Sequence, residues 1–275
     1  MSGRTFTDQL GRSITVGREV NGIISLVPSQ TELLFDLGVG HQITGVTKFC
    51  IHPKLQVKTV TKVGGTKNVD VDLVRSLNPA LIIANKEENE QNQIETLARD
   101  FPVWISDIYS LPHALQMITV IGAMVDKKSM SLQMIQQIDA GFKKLPQAIA
   151  PLKVAYLIWQ NPYMVAAKNT FIDDMLHRCG LTNAFDNERY PQVSAQQLQQ
   201  SRPDVVMLSS EPYPFKQKHL QAIKQICPQS KVILVNGEMF SWYGSRLLKA
   251  IAYFEQLIEQ LNNSLILKPL HNNLN

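Results

Sequence analysis

Two apolar runs joined by a helical pattern set what this chain can fold into. Residues 23–27 form an apolar run that ends at Pro28-Ser29, as expected of a strand. Leu33, Leu34 and Leu37 then fall at helical spacing, and Gly38 is a stop signal. Gln42-Ile-Thr-Gly-Val-Thr47 supplies a second β-type segment. A β-loop-α-loop-β unit of this kind implies a parallel sheet with its working loops at the strand ends. The unit has a counterpart in the second half of the chain. Leu73-Val-Arg-Ser-Leu-Asn-Pro-Ala-Leu-Ile-Ile-Ala84 is a short helix, a Pro turn and a buried strand, and Leu198-Gln-Gln-Ser-Arg-Pro-Asp-Val-Val-Met-Leu208 repeats that grammar with one residue fewer. Residues 33–43 likewise resemble residues 175–184.

The repeat predicts an α/β fold of two doubly wound, Rossmann-like lobes. Ahead of it, residues 5–16 read as a β-hairpin turning at Gly11. In the first lobe, strands fit 23–27, 43–46, 81–84 and 103–106, and helices fit 31–37, 71–77, 90–99 and 115–123. Residues 127–145 carry Met130, Met134, Ile135, Ile138 and Phe142 at 3-4 spacing, ended by Pro146 and Pro151. They predict one connecting helix of about 28 Å. In the second lobe, strands fit 154–159, 163–167, 205–210 and 232–236. Helices fit 171–179 behind a Thr170 N-cap, 194–200 behind a Ser194 capping box, 216–226 and 245–261. The tail from Asn262 is expected to fray. The domain division is 1–126, a connecting helix at 127–150, and 151–275. Ligands favour the strand ends facing a cleft between two such lobes.

Bulk properties exclude several classes. The net charge of +4 on 275 residues is spread without a dense basic block, so nucleic-acid binding is not signalled. Cys50, Cys179 and Cys227 include no C-x-x-C pair, and three reduced thiols are the simplest reading. The N-terminal dozen residues carry Arg4, Asp8 and Arg12 and no apolar h-region, so no signal peptide is expected. Either the chain is cytosolic or an export signal precedes the sequence given. No run of about 18 apolar residues marks a membrane span.

Enzyme motifs are absent: there is no G-x-G-x-x-G, no Walker P-loop and no G-x-S-x-G. Gly64-Gly-Thr-Lys67 reads as a tight loop before the helix at 71, with Thr66 and Lys67 as contact candidates. The six histidines are scattered. Cys50-Ile-His52 is the one adjacent pair of soft donors, whereas a metal site needs three or four, so none is expected. Phe49, Trp159, Tyr163, Tyr190, Phe240, Trp242 and Tyr243 fall at predicted strand ends or in loops, a pattern suited to a large, flat, partly apolar ligand. Trp104 lies within a strand and reads as core. Lys48, Lys67, Arg189 and Arg246 could neutralise an anionic ligand, while Lys86-Glu-Glu-Asn-Glu90 reads as a solvated helix start.

At these motifs the chain resembles the class III substrate-binding proteins of ABC importers, the helical-backbone receptors for cobalamin, haem and siderophores, with the cobalamin receptor as the nearest pattern. The resemblance is carried by Ile24-Ser-Leu-Val-Pro-Ser-Gln-Thr-Glu32, Asn78-Pro-Ala-Leu-Ile-Ile83, the 127–145 helix, Tyr190-Pro-Gln-Val-Ser194 and Ser201-Arg-Pro-Asp204. It implies a monomer that binds a small metal chelate, a corrinoid first and an iron-siderophore or haem second. It also implies an ABC permease as partner, a periplasmic location, no catalysis and no resident cofactor. Phe49 and His52 stand at the family's first-lobe pocket aromatics, Tyr190 at a pocket Trp, and Trp242 and Tyr243 in the matching last-lobe loop. Thr66 replaces a family pocket Trp. Asp72 and Gln196 stand where the family offers a Glu from each lobe to the permease. The competing reading is a cytosolic tetrapyrrole- or metal-handling protein, or a chelatase-like enzyme, built on a His/Glu pair such as His52 and Glu238.

Overall fold

The computed structural model describes residues 3–266, which pack into two units. The first comprises residues up to Ile108, Pro112–Gln137 and Trp242–Arg246; the second comprises Tyr109–Leu111, Ile138–Ser241 and the chain from Leu247. A division by chain order alone, at 126 and 151, therefore misses two short segments, 109–111 and 242–246.

In the first unit, β1 (Arg4–Thr7) and β2 (Ser13–Val16) form the expected antiparallel hairpin. It docks through Gln9, whose amide donates to the carbonyl of Ile105 at 3.0 Å. Next come β3 (Ile23–Ser25), α1 (Pro28–Asp36), β4 (Ile43–Val46), β5 (Thr61–Lys62), α2 (Val71–Leu77), β6 (Leu81–Asn85), α3 (Gln91–Ala98), β7 (Val103–Ser106) and α4 (Leu111–Met124). The sheet order is β5-β4-β3-β6-β7, and every pair is parallel. All five residues of β6 and all four of β7 are buried, as expected of strands covered on both faces. Trp104, on β7, is fully buried. Chain order reverses direction at β3, which makes its carboxyl end the topological switch point of this sheet.

Helix α1 starts three residues earlier than the leucine spacing suggests. Pro28 occupies its first turn, where a missing N–H costs nothing. Helix α5 (Lys128–Lys143) is continuous and passes from the first unit to the second after Gln137.

The second unit holds β8 (Lys153–Trp159), β9 (Tyr163–Val165), α6 (Phe171–Arg178), β10 (Thr182–Asn183), β11 (Gln192–Val193), α7 (Ala195–Gln200), β12 (Val205–Ser209), α8 (Gln217–Ile226), β13 (Lys231–Val235), α9 (Gly237–Ser241) and α10 (Leu247–Ile266). Its sheet runs β11-β9-β8-β12-β13, with β10 beside the start of β8. The β8, β10, β12 and β13 pairings are parallel, but β9 runs antiparallel to both β8 and β11. This sheet is therefore mixed. Only three residues separate β8 from β9, too few for the crossover that a parallel neighbour needs. The predicted caps form: Thr170 Oγ1 accepts from the amide of Asp173 at 3.1 Å, and Ser194 closes a capping box with Gln197.

The repeated grammar has a backbone basis. Asn78 and Arg202, each just before the proline, take left-handed φ values of 45° and 46°. Gly38 and Gly180, with φ of 76° and 73°, end α1 and α6 by the same device. Two expectations fail. Helix α10 continues through Asn262 to Ile266 instead of fraying there, and the rest of the tail lies outside the described residues. The Lys86–Glu90 stretch is a turn ahead of α3 and is not fully solvated, because Glu88 is partly buried and hydrogen bonded. No helix among the described residues is long and apolar enough to cross a membrane.

Candidate functional site

In the first unit the candidate residues gather at the carboxyl ends of β3, β4 and β6. After β4, Thr47 to His52 form a loop whose Phe49 ring is 52% exposed. Lys48 Nζ stands 5.2 Å from the centroid of that ring. Behind the ring lies Gly65, where a Cβ would stand 3.4 Å from Phe49 Cε2 and 3.5 Å from Lys48 Cε. The Gly64–Lys67 loop is the expected tight turn: the Gly65 amide donates to the Asn68 carbonyl at 2.8 Å. Lys67 Nζ donates to the Glu87 and Asn89 carbonyls at 2.7 and 3.3 Å, so it ties this loop to the turn after β6. Asn89 completes the tie by donating from Nδ2 to the carbonyls of Thr66 (3.1 Å) and Leu26 (3.2 Å). Lys67 is thus a brace as well as an exposed charge, and Thr66 is held half-buried beside it.

The segment Trp242–Arg246 joins this group from the far end of the chain. Its approach to α1 is close: a Cβ on Gly244 would lie 3.0 Å from the Ser29 carbonyl oxygen. Arg246 Nε donates to Glu32 Oε2 at 2.9 Å, and both side chains are at least nine-tenths buried. Arg246 therefore meets a counter-charge within the protein, contrary to its expected role as a charge awaiting an anionic ligand. Its guanidinium lies 4.9 Å from the Trp242 ring centroid, within cation–π range. His52 meets Trp242 edge-to-face at 5.4 Å. The Tyr243 hydroxyl donates to Glu88 Oε1 at 2.8 Å. Trp242 and Tyr243 are 6% and 7% exposed, so they act more as walls than as tips.

Beneath this cluster, Cys50 is buried and bonded by two hydroxyls, Thr31 Oγ1 at 3.1 Å and Thr47 Oγ1 at 3.2 Å. Burial pushes its thiol above the ordinary cysteine range, and those hydroxyls offset part of the rise. Cys179 and Cys227 are also buried free thiols, and burial pushes Cys179 up to about 12. Neutral, buried thiols are poor nucleophiles and poor metal ligands.

In the second unit, Trp159 closes β8 with its ring 40% exposed. Tyr213 backs it edge-to-face at 5.7 Å. Tyr213 is itself fixed by its hydroxyl bond to Gln160 Oε1 (3.0 Å) and by ring contact with Phe215 at 4.8 Å. Tyr163 and Tyr190 are half-buried, at the start of β9 and before β11. Phe240 does not belong with them. Its ring is fully buried on α9, 5.0 Å from Tyr156 and 4.8 Å from Phe254, and it offers a ligand no surface.

Asp72 and Gln196 are both exposed, each the second residue of its short helix, α2 and α7. The internal repeat thus gives them equivalent places in the two units. Among the described residues, no group of three His, Cys, Asp or Glu side chains could hold a metal ion. Sequence reasoning missed Glu32, Glu88 and Tyr213. The available signal was the polar run Ser29-Gln-Thr-Glu32 at a strand-to-helix junction, where a working loop is expected.

A family model described as periplasmic binding protein matches residues 23–226. The Vitamin B12-binding protein of Pectobacterium atrosepticum is 27% identical over 250 residues, covering 87% of this chain and 88% of that one. Among solved structures, the periplasmic heme-binding protein RhuT of Roseiflexus sp. RS-1 superposes with a TM-score of 0.74 at 20% identity, covering 89% of this chain and 99% of that one. The molybdate periplasmic binding protein MolA of Haemophilus influenzae superposes with a TM-score of 0.80 at 15% identity, covering 96% and 93%. Two proteins named for such different ligands share this fold, so the fold alone does not choose one.

Proposed function

The chain belongs to the periplasmic binding protein family, and we propose that it binds a metal chelate, a corrinoid before an iron-siderophore or haem, and passes it unchanged to an ABC permease. The observation that carries this reading is that each unit, taken by itself, presents a half-exposed aromatic ring at a carboxyl strand end, Phe49 after β4 in the first and Trp159 on β8 in the second. Each is braced from behind, by Gly65 and by Tyr213. Braced, solvent-facing rings suit a flat macrocycle, because stacking adds to simple area burial. His52, Thr66 and Lys67 in the first unit, and Tyr163 and Tyr190 in the second, are the further candidate ligand contacts. The sequence relative named for vitamin B12, alignable over most of both chains, supports a corrinoid first. Asp72 and Gln196, repeated and exposed, are the proposed permease contacts. An iron-siderophore or haem is the second reading.

Binding without turnover predicts stabilisation by mass action. Free ligand at a hundred times its dissociation constant should add about 2.7 kcal/mol to unfolding. Melting curves with cobalamin, haem and a ferric siderophore would read this as a rise in melting temperature. Product formed from any of them would favour the enzyme reading instead.

A further inference from the structure

The first turn of α1 buries four consecutive polar side chains, Ser29, Gln30, Thr31 and Glu32, none more than 4% exposed. A helix that merely covered a sheet would place apolar groups there. Buried polar groups cost stability unless bonded, and a buried ion pair is commonly no better than a well-packed apolar pair. Three of the four side chains reach segments remote in sequence, Gln30 by donating from Nε2 to Ser106 Oγ at 2.6 Å. Thr31 Oγ1 donates to the sulfur of Cys50, two residues before His52. Glu32 accepts from Arg246, four residues after Trp242. Neighbouring residues of one helix thus hold the two segments whose rings, His52 and Trp242, meet at 5.4 Å. Arg246 forms the middle of the link, with Glu32 at its Nε and the Trp242 ring 4.9 Å from its guanidinium carbon.

We propose that Glu32 is a positioning residue of the ligand site: through its ion pair with Arg246 it sets the Trp242 ring against His52, and ligand affinity depends on that setting. This rests on the reading of the first unit's aromatic group as a ligand wall. Glu32 itself need not touch ligand. Its charge, placed in a low-dielectric interior, fixes where the guanidinium sits, and the guanidinium fixes the ring.

The test uses the full chain labelled with 5-fluorotryptophan. Its three tryptophans, Trp104, Trp159 and Trp242, give three fluorine resonances that single Phe substitutions assign. Glu32→Gln should move the Trp242 resonance of the ligand-free protein and leave those of Trp104 and Trp159 in place. The same variant should bind cobalamin about tenfold more weakly, the scale of one lost aromatic contact with its buried area. The double variant Glu32→Gln/Arg246→Met leaves no charge buried alone. Its melting temperature should recover toward wild type while its affinity stays low. An unmoved Trp242 resonance in Glu32→Gln would overturn the proposal. So would a double variant that regains affinity together with stability, because that marks a purely structural pair. If Glu32→Gln does not fold, the double variant decides on affinity alone. If the wild-type chain binds no chelate, the functional reading fails, and the resonance of the ligand-free protein still decides whether Glu32 positions Trp242.

Discussion

Trp159→Ala is expected to weaken cobalamin binding at least about tenfold while leaving stability nearly unchanged. The ring is 40% exposed in the free protein, so its removal forfeits little core packing. A stacked ring contributes roughly 1 kcal/mol beyond the area it covers, and that area adds a comparable amount, which together exceeds a factor of ten. Tyr213→Phe should reproduce part of the effect, because it cuts the hydroxyl bond to Gln160 that holds the backing ring. Isothermal titration of the two variants checks both statements. An unchanged affinity in Trp159→Ala would remove β8 from the ligand site.

Phe240→Ala should behave in the opposite way. The ring is fully buried against Tyr156 and Phe254, so truncation leaves a cavity in the second unit. Phe→Ala changes at such sites cost about 3–5 kcal/mol. Urea unfolding should show that loss, and chelate affinity of the folded fraction should be preserved. Stability close to wild type with a tenfold loss of affinity would return Phe240 to the ligand wall, where its place beyond a predicted strand end first suggested it.

The contrast between Trp159 and Phe240 shows what the sequence could convey. Both are aromatic residues near the end of a predicted strand. Trp159 is the last residue of a seven-residue strand whose five central positions are buried, so its exposure follows from its place at the strand end, where the sheet's cover stops. Phe240 lies on a five-residue helix, α9, too short to produce a periodic signal. The fold was legible because its signals are local: apolar runs, proline turns, glycine stops and capping residues. The direction of β9 was not, since alternation marks a strand but not its partner or its sense.

The site was legible only in part for the same reason. Phe49 was singled out because it follows a strand end, and His52 because of the family resemblance. The Glu32–Arg246 pair joins residues 214 apart, and nothing local marks either as the other's partner. Arg246 therefore read as a charge open to an anionic ligand, and Glu32 only as part of a motif. Glu88 was misread in a related way. It looked solvated because charged residues usually are, but the Trp242–Arg246 segment gives it a tyrosine hydroxyl.

The central claim is that this chain holds an intact metal chelate. Native mass spectrometry of the purified chain after incubation with cobalamin, haem or a ferric siderophore, with the absorption spectrum of the recovered protein, tests it most directly. A complex heavier by the mass of one unaltered chelate is expected, with cobalamin retained in preference to the others. A chain that remains ligand-free with all three, or that returns a chemically changed or demetallated product, would contradict it.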